Sequence, residues 1–354
     1  MANKNVFISP SSSDRELTER EKHILQAIIH LYILQASPIG SRILAKYLEK
    51  DLKLSPASIR NVMSDLEEME FISHPHTSAG RVPTDKGYRF YVDSMNPFED
   101  LSESELIQVK QELLVSPNET VLRDASKVLG MLSHYLGIVK IPHLTDLVVE
   151  KIELISLSST RLLVVIALAS NIVRTVTLEA EFEYNSHKLE EISGFINERV
   201  GGKQLKYLRE NFPQMLSGSN ISSMPLVRLF INSIDKIFNY PNIGDRIHIA
   251  GAPNLLNNPE FDDLKKVKGI IELLENEDVI VHLLDQYDDS GESLKVLIGK
   301  EMGNELFDDY SLIVSKYRIG SASGSIGLIG PKRMQYSRMM SLVYNVAKII
   351  DVNP

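Results

Sequence analysis

The stretch LSPASIRNVMSDLEEMEFISHPHTSAGRVPTDKGYRFYVD, residues 54–93, decides the architecture of the amino-terminal quarter. Ser55-Pro56 marks a helix start, because serine accepts from orphan backbone N–H groups and proline at the first helical position gives up nothing. Ile59, Val62, Met63 and Leu66 recur at helical spacing, so this helix runs to about Glu70 with those four inward. Phe71-Ile72-Ser73 then suits a short strand, Thr77-Ser78-Ala79-Gly80 a turn, and Arg81-Val82-Pro83 the returning arm of a hairpin. Pro83 fits an edge, since it donates to no ladder. Thr84 can cap a last helix with Tyr88, Tyr91, Val92 and Met95 on one face.

Upstream, Thr18 to Glu21 forms a capping box, and Ile24, Leu25, Ile28, Leu31 and Tyr32 line a first helix that stops before Ser37-Pro38. A second short helix is expected from Gly40-Ser41, burying Ile43, Leu44, Tyr47 and Leu48 and ending in the charged stretch Glu49 to Lys53. Three tightly connected helices followed by a hairpin predict a winged helix-turn-helix domain over 15–95. The face of the third helix opposite its buried stripe carries Ala57, Asn61 and Ser64, flanked by Ser58 and Arg60. All five lie in the half that enters the major groove in such domains. Arg60 suits guanine and Asn61 adenine, with Ser58 and Ser64 able to reach base edges. Ser41 and Arg42, at the start of the second helix, and Arg81, Lys86 and Arg89, around the wing, are the expected phosphate contacts. Asp65, Glu67, Glu68 and Glu70 crowd the other end of the third helix, so docking is confined to its first two turns. Trihelical cores also serve protein-binding modules; the Gly80-Arg81 pair at the hairpin favours DNA. His74 and His76 have no evident third ligand and read as a wing turn.

The whole chain of 354 residues carries 38 Lys+Arg against 47 Asp+Glu, a net charge of −9, which argues against coating nucleic acid by bulk charge. Residues 1–93 contain 12 of each sign, leaving 26 against 35 for the remainder, so the acidity belongs to the body. Repulsion of phosphate by such a body would suppress nonspecific binding and leave recognition to the small head. With no cysteine, disulfides, thiol nucleophiles and thiolate zinc sites are excluded. The longest strongly apolar run, Leu162 to Ala169, is too short to span a bilayer, and residues 1–14 read as a flexible leader on a cytosolic protein.

From residue 94 the texture changes. Pro97 to Glu105 reads as an acidic linker, with helical patterns at about 105–114 and 119–136. Residues 147–157, 160–170 and 171–181 predict an antiparallel meander turning at Ser158-Ser159 and Ser170-Asn171. A second strand set is expected at 279–285, 294–300, 310–319 and 324–330, then a closing helix over 332–350 burying Met339, Leu342, Val343, Val346 and Ile350. Between the sets lie a mostly helical block over 186–240, a strand from Asp245 to Ala250 and a loop from Gly251 to Pro259. The expected fold is α+β and multidomain: the winged helix, one α/β domain in two pieces (100–185 and 262–354), and an insertion at 186–261. Gly324, Gly327 and Gly330 form no phosphate loop, and no acid/base, nucleophile or metal cluster is evident, so neither an enzyme nor a cofactor is expected.

The segments SPIGSRILA (37–45), LSPASIRNVMSDLE (54–67) and HTSAGRVPTDKGYRFYVD (76–93) resemble the amino-terminal signatures of the HrcA family of heat-inducible transcription repressors. VLIGKE (296–301), DYSLIVSKYRI (309–319) and GSIGLIGPKRMQYSRMM (324–340) extend the similarity. The resemblance implies a GAF-like domain interrupted by a dimerisation domain, and a homodimer on the inverted-repeat operator called CIRCE upstream of chaperone operons. It further implies the GroEL chaperonin as a partner that favours the active form. Two rivals stand beside this reading: a ligand-responsive winged-helix factor with a metabolite in the GAF-like domain, and an enzyme with an accessory winged helix.

Overall fold

The computed structural model describes residues 15–75, 80–95, 100–114, 120–142, 147–169, 172–184, 186–216, 224–238, 246–258, 261, 264–288, 293–319 and 322–352. The expected leader, His76, the wing turn at 77–79, part of the acidic linker and the Ser170-Asn171 turn lie outside the described residues. The chain divides into two compact units: 1–101 with 296–313 and 329–341, and 102–295 with 314–328 and 342–354.

The first unit opens with α1 (Glu19–Gln35), whose capping box is formed as the sequence predicts: Glu21 N–H donates to Thr18 Oγ1 at 3.3 Å and Thr18 N–H to Glu21 Oε2 at 2.8 Å. The Glu21 carboxylate is buried and held by the Arg15 guanidinium, which with the two Thr18 donors brings its pKa down to about 2 against the opposing cost of burial. Helix α2 (Ser41–Tyr47) buries only Leu44, with Leu48 just past its end; Ile43 and Tyr47 are about half exposed, against expectation. Seven residues make only about two turns, so one inward row forms and these two neighbours fall outside it. In α3 (Pro56–Glu68) Ser55 is the N-cap and Ile59, Val62, Met63 and Leu66 are all buried. Strands β1 (Ile72–Ser73) and β2 (Val82–Pro83) pair antiparallel with Ile72 opposite Pro83, and α4 (Asp85–Asp93) follows from its Thr84 cap. Arg81 also bridges Ile39 through two 2.9 Å backbone hydrogen bonds, stitching the wing to the turn before α2. Gly80 permits this: a Cβ there would lie 2.4 Å from the Ile39 carbonyl carbon.

The rest of the chain runs α5 (Glu103–Leu114), α6 (Val121–Ser133), β3 (Leu136–Lys140), β4 (Val148–Ser156), β5 (Arg161–Leu168), β6 (Ile172–Glu179), α7 (Ser186–Val200), β7 (Lys203–Gln204), α8 (Leu205–Leu216), α9 (Pro225–Asn232) and α10 (Ile234–Phe238). It continues through β8 (Ile247–Ala250), α11 (Ala252–Leu256), α12 (Leu264–Glu275), α13 (Glu277–Asp288), β9 (Leu294–Ile298), β10 (Tyr310–Ile319), β11 (Ala322–Pro331) and α14 (Tyr336–Val352). Two expectations are corrected here. Residues 279–285 are helical, because Val279, Ile280, Val281, Leu283 and Leu284 supply an apolar face at helical as well as continuous spacing; the expected loop after Gly251 contains α11. The closing helix buries all five residues assigned to it.

The sheet membership of the meander also differs from a reading that joins it to the late strands. The meander does not share a sheet with the late strands: β6-β5-β4-β7 form one sheet, and β8-β3-β11-β10-β9 another. Ile152, Leu162, Val164 and Ile166 of the meander share a core with Ile192, Phe195 and Ile196 of α7 and with Phe212 and Phe230 of the following helices. Strand β3 leaves the five-stranded sheet at Lys140 and β8 returns antiparallel beside it, with Lys140 opposite Ile247. Residues 147–238 therefore hold a sheet and a core of their own, and the meander packs with the helices that follow it. Alternating burial along β5, with every second residue inward, is equally compatible with either sheet, so sequence patterning does not decide between them.

Candidate nucleic-acid interface

The face of α3 opposite its buried stripe is open to an external partner. Arg60, Asn61 and Ser64 are exposed, and none makes a hydrogen bond or ion pair among the described residues. Their exposure follows from the 3.6-residue period, since the four buried residues occupy the opposite side. Ser58 differs: it is half-buried, its N–H donates to the capping Ser55 Oγ at 3.1 Å, and the two hydroxyls lie 3.0 Å apart. It serves the helix start before any base. Helix α2 packs against α3 and presents Ser41, half-buried, and Arg42, exposed and also without an internal partner among the described residues. Asp65, Glu68 and Glu70 are exposed at the far end of α3, so the gradient along this helix runs from free cation to free anion.

The three wing cations are not free, contrary to expectation. The Arg81 side chain is 17% exposed and pairs with Glu67 of α3 at 2.8 Å. Glu67 also contacts His74, so the strand arm is drawn onto the helix by a shared carboxylate. Lys86 is exposed in part, but its ammonium donates to the Met69 carbonyl at 3.0 Å and sits 4.6 Å above the Phe71 ring. Arg89 donates through Nε to Glu301 at 2.8 Å, through Nη2 to the Val296 carbonyl at 2.6 Å, and through Nη1 to Asp93 at 3.2 Å. Its already high pKa is raised further, chiefly by hydrogen bonding to Glu301. Arg81 and Lys86 thus engage groups of the winged helix itself, and Arg89 ties α4 to residues 296–301. The partner of Arg89 was illegible because Glu301 lies more than 200 positions away and no local period links it to α4; those of Arg81 and Lys86 lie on α3 or just past its end, and no helical or strand period joins them to the wing. Among the described residues no group of three or more metal-ligating side chains occurs, and His74 engages Glu67.

Comparison with known proteins resolves the chain into two matched regions. Residues 16–95, which hold α1 to α4, match the family described as the winged helix-turn-helix transcription repressor, HrcA DNA-binding, and residues 119–340 match the HrcA protein C-terminal domain. The chain belongs to the HrcA family. Heat-inducible transcription repressor HrcA of Chlorobium phaeobacteroides (strain BS1) is 35% identical over 343 residues, covering 94% of this chain and 97% of the relative. The Chlorobium chlorochromatii (strain CaD3) repressor HrcA is 37% identical over 339 residues, covering 94% and 96%. A crystal structure of a hypothetical protein at 2.2 Å resolution matches with a TM-score of 0.63 and 24% identity over 96% of this chain and 98% of that one, a likeness of fold. The family assignment makes this HrcA chain a heat-inducible transcription repressor with a DNA-binding winged helix.

Proposed function

We propose that this HrcA chain represses chaperone operons by binding a CIRCE-type inverted repeat as a homodimer, with a GroEL-type chaperonin favouring the active form. The observation that carries the DNA part is the partner-free row of Arg60, Asn61 and Ser64 along the exposed face of α3, with Arg42 on the neighbouring α2. Arg60 and Asn61 supply the paired donors and acceptors that distinguish guanine and adenine in the major groove, and Arg42 with Ser41 meets the backbone. Twofold symmetry in the protein is matched by twofold symmetry in the operator. The five-stranded sheet β8-β3-β11-β10-β9 is read as the heart of a GAF-like domain, and residues 147–238 as the inserted dimerisation domain. A cytoplasmic location accords with action on an operon. No observation favours a metabolite-responsive factor over this reading.

Gel retardation of an inverted-repeat chaperone operator, with and without chaperonin, tests the proposal. A shift that needs both half-sites and sharpens when chaperonin is added supports it. Equal retention of a scrambled duplex removes the operator, and indifference to chaperonin removes that partner.

A further inference from the structure

We infer that the winged helix is fixed in orientation by a polar clamp of three points, and that Glu301, Asp85 and Arg333 are positioning residues for two-headed operator binding. The role rests on the dimeric reading above. The first point is the Arg89 guanidinium, which engages both oxygens of Glu301 and the Val296 carbonyl. Glu301 also accepts from the Ile298 N–H at 2.9 Å, so the same carboxylate closes its own 3-10 turn (299–302) and grips α4. The second point is Asp85, in the first turn of α4, which accepts from Lys332 Nζ at 2.6 Å and from the Lys300 N–H at 3.3 Å. Gly299, at φ +51°, makes that approach possible, since a Cβ there would sit 2.3 Å from the Asp85 carboxylate. The third point is remote from α4: Arg333 donates to the Ile33 carbonyl at the end of α1 at 2.6 Å. Between them Tyr88 meets Tyr336 with ring centroids 6.0 Å apart.

A body joined only through the segment after α4 pivots about that segment; a body held at three separated points does not. Charge-assisted hydrogen bonds with a bidentate arginine give direction as well as attraction, which a purely apolar contact would not. All three points belong to the first unit, and their distal partners lie on or beside β9, β11 and α14. Two linked heads gain over one only when both reach their half-sites at once, so the gain depends on how firmly each head is aimed. The clamp therefore sets spacing preference and leaves the contact of one head with one half-site alone.

The test uses full-length Glu301→Gln and Asp85→Asn proteins on three duplexes: the inverted repeat, the same repeat with two base pairs added to its spacer, and a single half-site. Expected for both variants are unchanged half-site binding, a loss of roughly tenfold or more on the native spacing, and a smaller penalty for the altered spacer. The Arg89→Glu and Glu301→Arg exchange restores wild-type discrimination if the pair acts by mutual contact. Amide exchange over 85–93 and 296–302 should rise in the single variants while the α1 core stays protected, which separates release of the clamp from failure to fold. Spacer discrimination that survives in both variants overturns the clamp, as does equal loss on half-site and full repeat. Tighter binding of all three duplexes by Glu301→Gln would also overturn it, because it would mean that the freed Arg89 contacts phosphate. A wild-type protein that binds the half-site as well as the repeat overturns the operator reading and with it the role assigned to the clamp.

Discussion

Replacing Arg81 by alanine separates what the sequence implies for the wing from what the structure implies. A wing arginine on a phosphate would contribute about 0.9 to the slope of log affinity against log salt. In the structure the guanidinium is 17% exposed and spends its charge on Glu67 at 2.8 Å, while Glu67 is 28% exposed. Such a pair lies between the fully exposed kind, worth up to about 1 kcal/mol, and the fully buried kind, whose disruption costs roughly 3–5 kcal/mol. The backbone bonds to Ile39 survive the substitution, and the Arg81 Nε is buried with no partner among the described residues, so truncation also relieves one unsatisfied donor. Arg81→Ala should therefore lower stability by about 1–2 kcal/mol and leave the salt slope unchanged. Operator titrations between about 50 and 200 mM salt, at a temperature where the variant is fully folded, measure the slope, and thermal unfolding measures the loss. A slope reduced by nearly one unit with stability intact would refute this account and return Arg81 to the DNA.

Arg60→Ala and Asn61→Ala should each cost roughly 1–3 kcal/mol on the preferred site and broaden base preference at one position, leaving thermal stability unchanged; selection from randomised half-sites reads this directly. Gly80→Ala should destabilise the head by about 1–3 kcal/mol, since its Cβ would press on the Ile39 backbone, and unfolding followed by a probe within the winged helix should register it. Glu21→Gln should be less stable than wild type at neutral pH. The folded carboxyl titrates at about 2, below its ordinary value of 4.5, so its stabilisation is complete above 4.5 and is lost as pH falls toward 2. The two proteins should converge over that window in acid unfolding; a gap that stays constant would rule out the Arg15 and Thr18 contacts as its source.

Much of the winged helix was legible because its signals are local: a cap, a proline at the first helical position, and a 3.6-residue stripe each act within one or two turns. The exposure of Arg60, Asn61 and Ser64 on α3 followed from that stripe alone. Ile43 and Tyr47 were misread because a seven-residue helix is too short for periodicity to fix the width of its buried face. The internal partners of Arg81, Lys86 and Arg89 were hidden for a different reason. A cation in sequence has no visible partner, so it is assigned to solvent or ligand by default, whereas each of these is claimed by a group from another element. The meander failed at the next level up: its strands were found, but sheet membership depends on which core receives Val164 and Ile166, and no local pattern encodes that choice.

The antiparallel neighbours β3 and β8 impose an order on folding. Bringing together two strands about 100 residues apart costs roughly 4 kcal/mol of loop-closure entropy when the intervening chain is a coil. Here that chain has its own core, and its two ends are gathered at one end of the meander: Val149 and Ile172 flank Leu168 there, and Arg174 donates to the Lys236 carbonyl at 3.2 Å. Once 147–238 has folded, the long loop behaves as a short one and β3 meets β8 at little further entropic cost. Pulse-labelled amides in β5 should therefore be protected before those in β3. On this scheme the insertion is the template on which the surrounding sheet closes, and lesions in its core, far from any DNA contact, should slow the appearance of competent repressor more than they weaken the repressor once formed.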